Sequence, residues 1–168
     1  MSENKWYAGN SRASTTRMLF IGGATPTARN DIEFVEIATL GNSQDFGELV
    51  NTLKGYGMGC GNCQSSTRTV TMGGWDGSSD RNDIHFITFA TKGNSTDFGN
   101  LLATVRGGGS NSNTTRGVLG GGRTPTQVNT IQFITFSTTG NATNFGDLTS
   151  IRAFNCAGMS DAHGGLER

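Results

Sequence analysis

The segment GNSQDFG at residues 41–47 decides the fold, because the chain contains it in three closely similar copies. It returns as GNSTDFG at residues 93–99 and as GNATNFG at residues 140–146. Before each copy lies a segment in which apolar residues alternate with polar or β-branched ones: IEFVEIATL from Ile32, IHFITFATK from Ile84 and IQFITFSTT from Ile131. Self-similarity at a period of roughly 50 residues is typical of repeat proteins. The chain therefore consists of three copies of one unit.

Three further landmarks keep the same register in all units. A glycine pair precedes each alternating segment, an arginine stands five residues before each pair, and a base ends the apolar stretch after each FG. The pairs are Gly22-Gly23, Gly73-Gly74 and Gly121-Gly122, the arginines are Arg17, Arg68 and Arg116, and the bases are Lys54, Arg106 and Arg152. Because the arginines recur, we predict that each bonds a neighbouring unit or packs over an aromatic ring.

Each unit predicts four short strands joined by tight turns. The first begins at the recurring arginine and ends at the glycine pair, and the second is the alternating segment. The third is the stretch after FG, and the fourth is glycine-rich, at residues 55–61 and 107–112. Four strands in roughly 50 residues are typical of a β-propeller blade. We predict an all-β fold with one repeat domain, residues 1–168, and blades at approximately 15–65, 66–113 and 114–166.

The composition excludes several classes of protein. Of the 168 residues 26 are glycine and 2 are proline, only 15% are charged, and the formal net charge is zero. A neutral chain lacks the cationic surface of a nucleic-acid binder. No apolar run approaches the roughly 20 residues of a membrane-spanning helix, and the N-terminus has no apolar segment of a signal peptide, so we expect neither membrane insertion nor secretion.

The landmarks resemble the kelch motif. A kelch blade has a hydrophobic strand ending in a glycine pair, an alternating strand, an aromatic residue at the start of the third strand, and an arginine before the fourth. Those places are taken here by the three glycine pairs, by Phe46, Phe98 and Phe145, and by Lys54, Arg106 and Arg152. The chain departs from the motif in having phenylalanine where kelch blades usually have tryptophan, and in lacking Tyr-Asp after the second strand.

A closer resemblance is to repeats in structural proteins of tailed phages, especially those that infect marine cyanobacteria. The repeated GN…FG segments with their alternating strands carry it, together with SDAHGGL at residues 160–166, and it covers roughly residues 15–166. The resemblance implies a virion component that is made in the host cytoplasm.

Three blades do not close a ring, because propellers typically use four to eight. Open sheet faces and edges favour association, and we predict a homo-oligomer in which two chains close a six-bladed ring head to tail. A nine-bladed trimer and a non-propeller trimer of stacked sheets are the alternatives. We predict that the N- and C-terminal segments form the two halves of the junction between subunits, with Trp6, Tyr7, Asp161 and His163 at the subunit contact.

Candidate sites for chemistry are few. Trp75 and Asp76 directly follow a glycine pair at a predicted rim loop, where an aromatic ring can stack on a sugar, so we predict a ligand site there. Cys60 and Cys63 have the CxxC spacing, but a zinc site needs four ligands and only Cys156, His85 and His163 remain elsewhere to complete it, so we predict structural thiols and no metal. Asp161 and His163 have no nucleophile with an evident partner, so we expect no enzyme and no cofactor.

The sequence thus favours a non-enzymatic phage virion protein, an oligomeric propeller-like module of a tail, fibre or capsid surface. Its expected partners are copies of itself and other virion proteins, and a host surface glycan is a candidate ligand. An intracellular kelch-type protein-interaction module is the main alternative, and a propeller enzyme using Asp161 and His163 is a second one.

Overall fold

Each repeat forms one four-stranded antiparallel sheet whose strands lie in chain order. The computed structural model of the protein describes residues 11–24, 28–50 and 61–153. Sheet 1 consists of β1 (Ser11–Ala13), β2 (Arg17–Ala24), β3 (Ala28–Glu36) and β4 (Gln44–Glu48), and sheet 2 of β5 (Gly61–Gln64), β6 (Arg68–Trp75), β7 (Asp80–Thr88) and β8 (Thr96–Asn100). Sheet 3 consists of β9 (Gly109–Ser112), β10 (Arg116–Gly120), β13 (Thr130–Thr135) and β14 (Thr143–Asp147). Between β10 and β13 in the chain, β11 (Arg123–Thr124) and β12 (Thr126–Gln127) form a separate two-stranded hairpin.

The described residues are therefore all-β, as predicted, with one sheet per repeat. They contain no helix long and apolar enough to cross a membrane. The phase of the predicted strands is wrong, however. The FG segment lies within the last strand of each sheet and not before it, and the glycine-rich segment at Gly109–Ser112 pairs with the strand that follows it, β10, as the first strand of sheet 3. Residues 51–60, which include part of the glycine-rich segment of the first repeat, lie outside the described residues.

A polar cap closes the turn between the first two strands of each sheet. The Ser65 hydroxyl accepts a hydrogen bond from the Arg68 backbone N–H at 3.1 Å, and Ser14 does the same for Arg17 at 2.9 Å. In sheet 3 the Asn113 side chain takes this place and accepts from Arg116 at 2.7 Å. Short oxygen-bearing side chains suit such turns because they bond the backbone two or three residues on.

The glycine pairs and the FG glycines mark irregular points in the ladders. Gly73 has a φ of 64°, and a Cβ there would lie 2.5 Å from the carbonyl oxygen of Val105. Opposite Gly99 the register between β7 and β8 shifts between Ile84 and His85, and the same shift occurs at this place in the other two sheets. Only glycine adopts these conformations without strain, which explains much of the glycine content.

The sheets stack with the back face of one on the front face of the next. We call back face the side of each sheet that carries the first two apolar residues of the alternating segment and the FG phenylalanine. In sheet 1 these residues are Ile32, Phe34 and Phe46. The front face carries the intervening residues, of which Ile87 and Phe89 of sheet 2 pack in one cluster with the back face of sheet 1. A second cluster joins the back of sheet 2 to the front of sheet 3. The core is thus divided into two apolar layers between three sheets.

Candidate functional site

Trp75 lies at the end of β6 and pairs with Asp80 at the start of β7, so the turn at residues 76–79 joins two strands of sheet 2. The indole is half-buried. Gly74 immediately before it donates its N–H to the Val105 carbonyl at 2.8 Å, which anchors the strand end to the segment leaving sheet 2. Trp75 thus lies where a hairpin joins β6 and β7, and the ligand site expected there from the sequence stays a prediction.

Asp76 fixes the shape of this turn. Its Oδ1 accepts the backbone N–H of Ser78 at 2.8 Å, the Ser78 hydroxyl at 2.8 Å and the backbone N–H of Ser79 at 2.7 Å. Its Oδ2 lies 3.6 Å from Nη1 of Arg81. Burial raises the pKa of Asp76, but these hydrogen bonds together with the positive charge of Arg81 outweigh burial and hold the pKa below 3.8. One carboxylate oxygen is therefore committed to the turn, and the other faces Arg81.

Arg106 completes a rim cluster, which we define as Trp75, Asp76, Asp80, Arg81 and Arg106. The guanidinium carbon of Arg106 lies 5.6 Å from the centroid of the Trp75 ring, and its Nε lies 3.1 Å from Oδ1 of Asp80. Such a geometry combines cation–π attraction with an ion pair. In the sequence Arg106 is recognisable only as a recurring base, and its contact with Trp75 has no sequence signal, because the return of the chain after β8 brings the two together.

The groups of the rim cluster are of the kinds that contact a neutral polar ligand. It offers an aromatic ring for contact with C–H groups, guanidinium N–H donors and carboxylate acceptors within one surface region. Its charges are already paired, since Arg81 also bonds Asp83 at 2.8 Å. A ligand rich in hydroxyl groups matches this mixture better than a strongly charged one does, because it can both donate and accept.

The other predicted site residues divide into two groups. Trp6, Tyr7, Cys60, Asp161 and His163 lie outside the described residues. Cys63 is buried between sheets 2 and 3, with its Sγ 3.1 Å from the Asn111 carbonyl oxygen. Within the described ranges no group of three or more His, Cys, Asp or Glu side chains is arranged to hold a metal ion.

Two of the recurring arginines, Arg17 and Arg68, connect neighbouring sheets, in agreement with the prediction from the sequence. Nη1 of Arg17 donates to the carbonyl oxygens of Phe89 and Ala90 in the next repeat at 2.9 and 3.1 Å, while its guanidinium lies 5.3 Å from the Phe34 ring. Arg68 donates to the Phe136 carbonyl at 3.3 Å and covers the ring of Phe86. These arginines belong to the scaffold.

No protein-family model matches this chain, and no curated protein sequence matches it. A functional assignment for it therefore has to stand on its residues and their geometry.

Proposed function

We propose that the chain is a non-enzymatic structural protein of a phage virion, a propeller-like repeat module of a tail, fibre or capsid surface, and that its rim cluster binds a host surface glycan. The observation that carries the proposal is the stack of three equivalent sheets joined by repeated contacts. A stack of this kind presents one rigid surface, and its stability is approximately the sum of similar contacts between neighbouring repeats.

The use of the charged side chains supports a scaffold role. The described ion pairs join residues of the same sheet or of adjoining segments: Arg17–Glu36, Arg29–Asp31, Arg81–Asp76, Arg81–Asp83 and Arg106–Asp80. The one described histidine, His85, is buried, and burial lowers its pKa from the ordinary value. Groups that are paired or buried in this way serve the fold, whereas a general acid or base has to reach a substrate proton.

The role in the virion is tested by mass spectrometry of purified particles of the virus whose genome encodes the chain. We expect peptides of the chain at a stoichiometry of several copies per particle. Its absence from particles, together with its presence in the soluble fraction of infected cells, would contradict a virion role and favour an interaction module inside the host.

Glycan binding is tested separately, with a screen of host surface polysaccharides on the purified chain. We expect Trp75→Ala to abolish binding and Trp75→Phe, which retains an aromatic face, to keep part of it. Phe20→Ala serves as a control away from the rim cluster, and circular dichroism verifies that each variant is folded. Binding that survives Trp75→Ala unchanged would show that the rim cluster is not the glycan site.

A further inference from the structure

The two joints between the sheets use the same backbone contacts. At the first joint, the N–H of Gly93 donates to the Phe46 carbonyl at 2.8 Å, and the N–H of Ser95 donates to the Glu48 carbonyl at 2.8 Å. At the second joint, Gly140 donates to Phe98 at 2.7 Å and Ala142 donates to Asn100 at 2.8 Å. In both, the GN turn of the later sheet bonds the FG strand of the earlier one.

An asparagine side chain and the FG glycine complete each joint. Oδ1 of Asn94 accepts the Glu48 N–H at 3.0 Å, and Oδ1 of Asn141 accepts the Asn100 N–H at the same distance. The turn approaches so closely that a Cβ on Gly99 would lie 2.4 Å from the Gly140 carbonyl oxygen. The joint is therefore a defined set of paired groups and not merely apolar contact.

The back face of sheet 3 carries the earlier half of this joint, and no other described segment covers it. Phe46 and Phe98 are 2% and 3% exposed, but their equivalent Phe145 is 56% exposed. Ile151, near the end of the same repeat, is 59% exposed. Gly146 has nothing within 4 Å of the place where a Cβ would stand. Arg116 still covers the ring of Phe133, as its equivalents cover theirs, but it is exposed.

The front face of sheet 1 carries the later half. Ile37 is 54% exposed, whereas its equivalents Phe89 and Phe136 are 4% and 5% exposed. Leu40 beside it is fully exposed. The GN turn at Gly41 and Asn42 is exposed as well. The φ of Gly41 is 151°, close to the 153° and 154° of Gly93 and Gly140. Both turns inside the stack with this geometry are engaged with an FG strand.

We propose that two copies of the chain associate head to tail, with the back face of sheet 3 of one copy on the front face of sheet 1 of the other. By analogy with the two internal joints, Phe145 packs against Ile37, the Gly41 N–H donates to the Phe145 carbonyl, and Asn42 accepts from the Asp147 N–H. Arg116 then reaches the Ile37 carbonyl, as Arg17 reaches that of Phe89.

A second copy is the occupant because each open face is complementary to the other and not to itself. The back face offers strand carbonyls and the front face offers turn N–H groups, so the contact is heterologous. This inference goes beyond the role in a virion and does not depend on it, since the contact follows from the joints alone.

The experiment compares solution masses by light scattering after size exclusion, at tens of micromolar chain. We expect the wild-type chain to have the mass of two or more chains, where one chain has a mass of 17.7 kDa. Phe145→Asp and Ile37→Asp each place a charge in the joint, and each variant is expected to have the mass of a single chain. Leu102→Asp is the matched control, because Leu102 is 52% exposed but lies on neither open face, and it is expected to associate like the wild type.

Capture between variants then tests the head-to-tail arrangement. A tagged Phe145→Asp chain retains an intact front face and an Ile37→Asp chain retains an intact back face, so each is expected to capture the other and neither to capture itself. A wild-type monomer, self-capture by Phe145→Asp, or failure of the two variants to capture each other would overturn the proposal. None of these outcomes changes whether the chain is found in virus particles, so the two proposals fail independently.

Discussion

Glycine serves two different purposes at residues that have the same backbone conformation. Gly47 and Gly93 face each other across the first joint with φ of 149° and 153°. A Cβ on Gly47 would lie 2.4 Å from the Gly93 carbonyl oxygen, whereas a Cβ on Gly93 would meet nothing within 4 Å. Gly93 is needed for its φ alone, and Gly47 is needed for its φ and for the close approach of two sheets.

This difference predicts that Gly47→Ala destabilises the chain more than Gly93→Ala. Both variants strain the backbone at positive φ, but only Gly47→Ala forces two backbones apart, and we expect an additional loss of about 1–3 kcal/mol in the free energy of unfolding. Urea denaturation measures it, and the pair Gly99→Ala and Gly140→Ala repeats the comparison at the second joint. Equal losses within each pair would show that the approach of the sheets is not tight.

His85 links stability to pH. It is buried between sheets 1 and 2, and burial lowers its pKa below 6.5, opposed by the charges of Asp83 and Asp97 and assisted by that of Arg81. Below pH 6.5 the unfolded chain therefore takes up a proton at this residue that the folded chain does not yet bind. The contribution of neutral His85 is complete above pH 6.5 and is lost as the pH falls through the lower pKa of the folded state.

We therefore expect the free energy of unfolding to fall more steeply with decreasing pH below 6.5 in the wild type than in His85→Gln. Glutamine is the natural control, because Gln132 occupies the same position in sheet 3 and is also buried. Urea titrations from pH 7.5 to pH 4.5 provide the comparison. Parallel pH profiles for the two proteins would exclude His85 as the source of the dependence.

At the scale of elements, the sequence predicts the strands better than their grouping into sheets. The alternation of Ile84 and Phe86 with His85 and Ile87 gives β7 directly, since period-2 patterning follows from the geometry of a strand. The glycine-rich strand β9 has no such pattern, and its partner is determined by contacts that periodicity does not contain. Trp75 attracts attention in the sequence because it directly follows a glycine pair, whereas its contact with Arg106 depends on tertiary structure.

Side-chain hydrogen bonds between β9 and β5 of the preceding sheet are an example of contacts that periodicity does not contain. The Ser110 hydroxyl accepts the Asn62 N–H and donates to the Asn62 carbonyl, both at 2.9 Å, and Ser112 bonds Gln64 in the same way at 3.1 and 2.9 Å. Two serine side chains thus bond the backbone N–H and carbonyl groups at the edge of β5, the first strand of the preceding sheet. Backbone groups at a buried edge need such partners.

Ser110→Ala is therefore expected to leave the N–H and carbonyl of Asn62 unsatisfied and to cost about 1–3 kcal/mol of stability. Faster amide hydrogen exchange at Asn62 would locate the defect, and urea denaturation would measure the loss. Ser137→Ala is the control, because Ser137 is exposed, and a change within about 0.5 kcal/mol is expected there. Similar effects of the two substitutions would contradict a role of Ser110 at this edge.

At the scale of the whole molecule, three sheets with two internal joints bury the FG phenylalanines of sheets 1 and 2 and leave that of sheet 3 exposed. A repeat stack needs a partner or a cap at each end, since every repeat is stabilised by its neighbours. The low charge of the chain, 15% of residues, is consistent with faces that are covered by protein and not by water. Association through the open faces is therefore expected to increase the stability of the folded chain.

The thermal midpoint of the wild-type chain is accordingly expected to rise with protein concentration. Association through the native faces stabilises the folded state, and each tenfold rise in concentration above the dissociation constant adds about 1.4 kcal/mol. For a chain of this size that corresponds to a shift of roughly 2–6 °C, measurable by calorimetry from 5 to 500 micromolar. Phe145→Asp removes the joint but keeps the sheets, so its midpoint is expected to stay constant over that range. A wild-type midpoint that is independent of concentration would mean that the open faces contribute nothing to stability in solution.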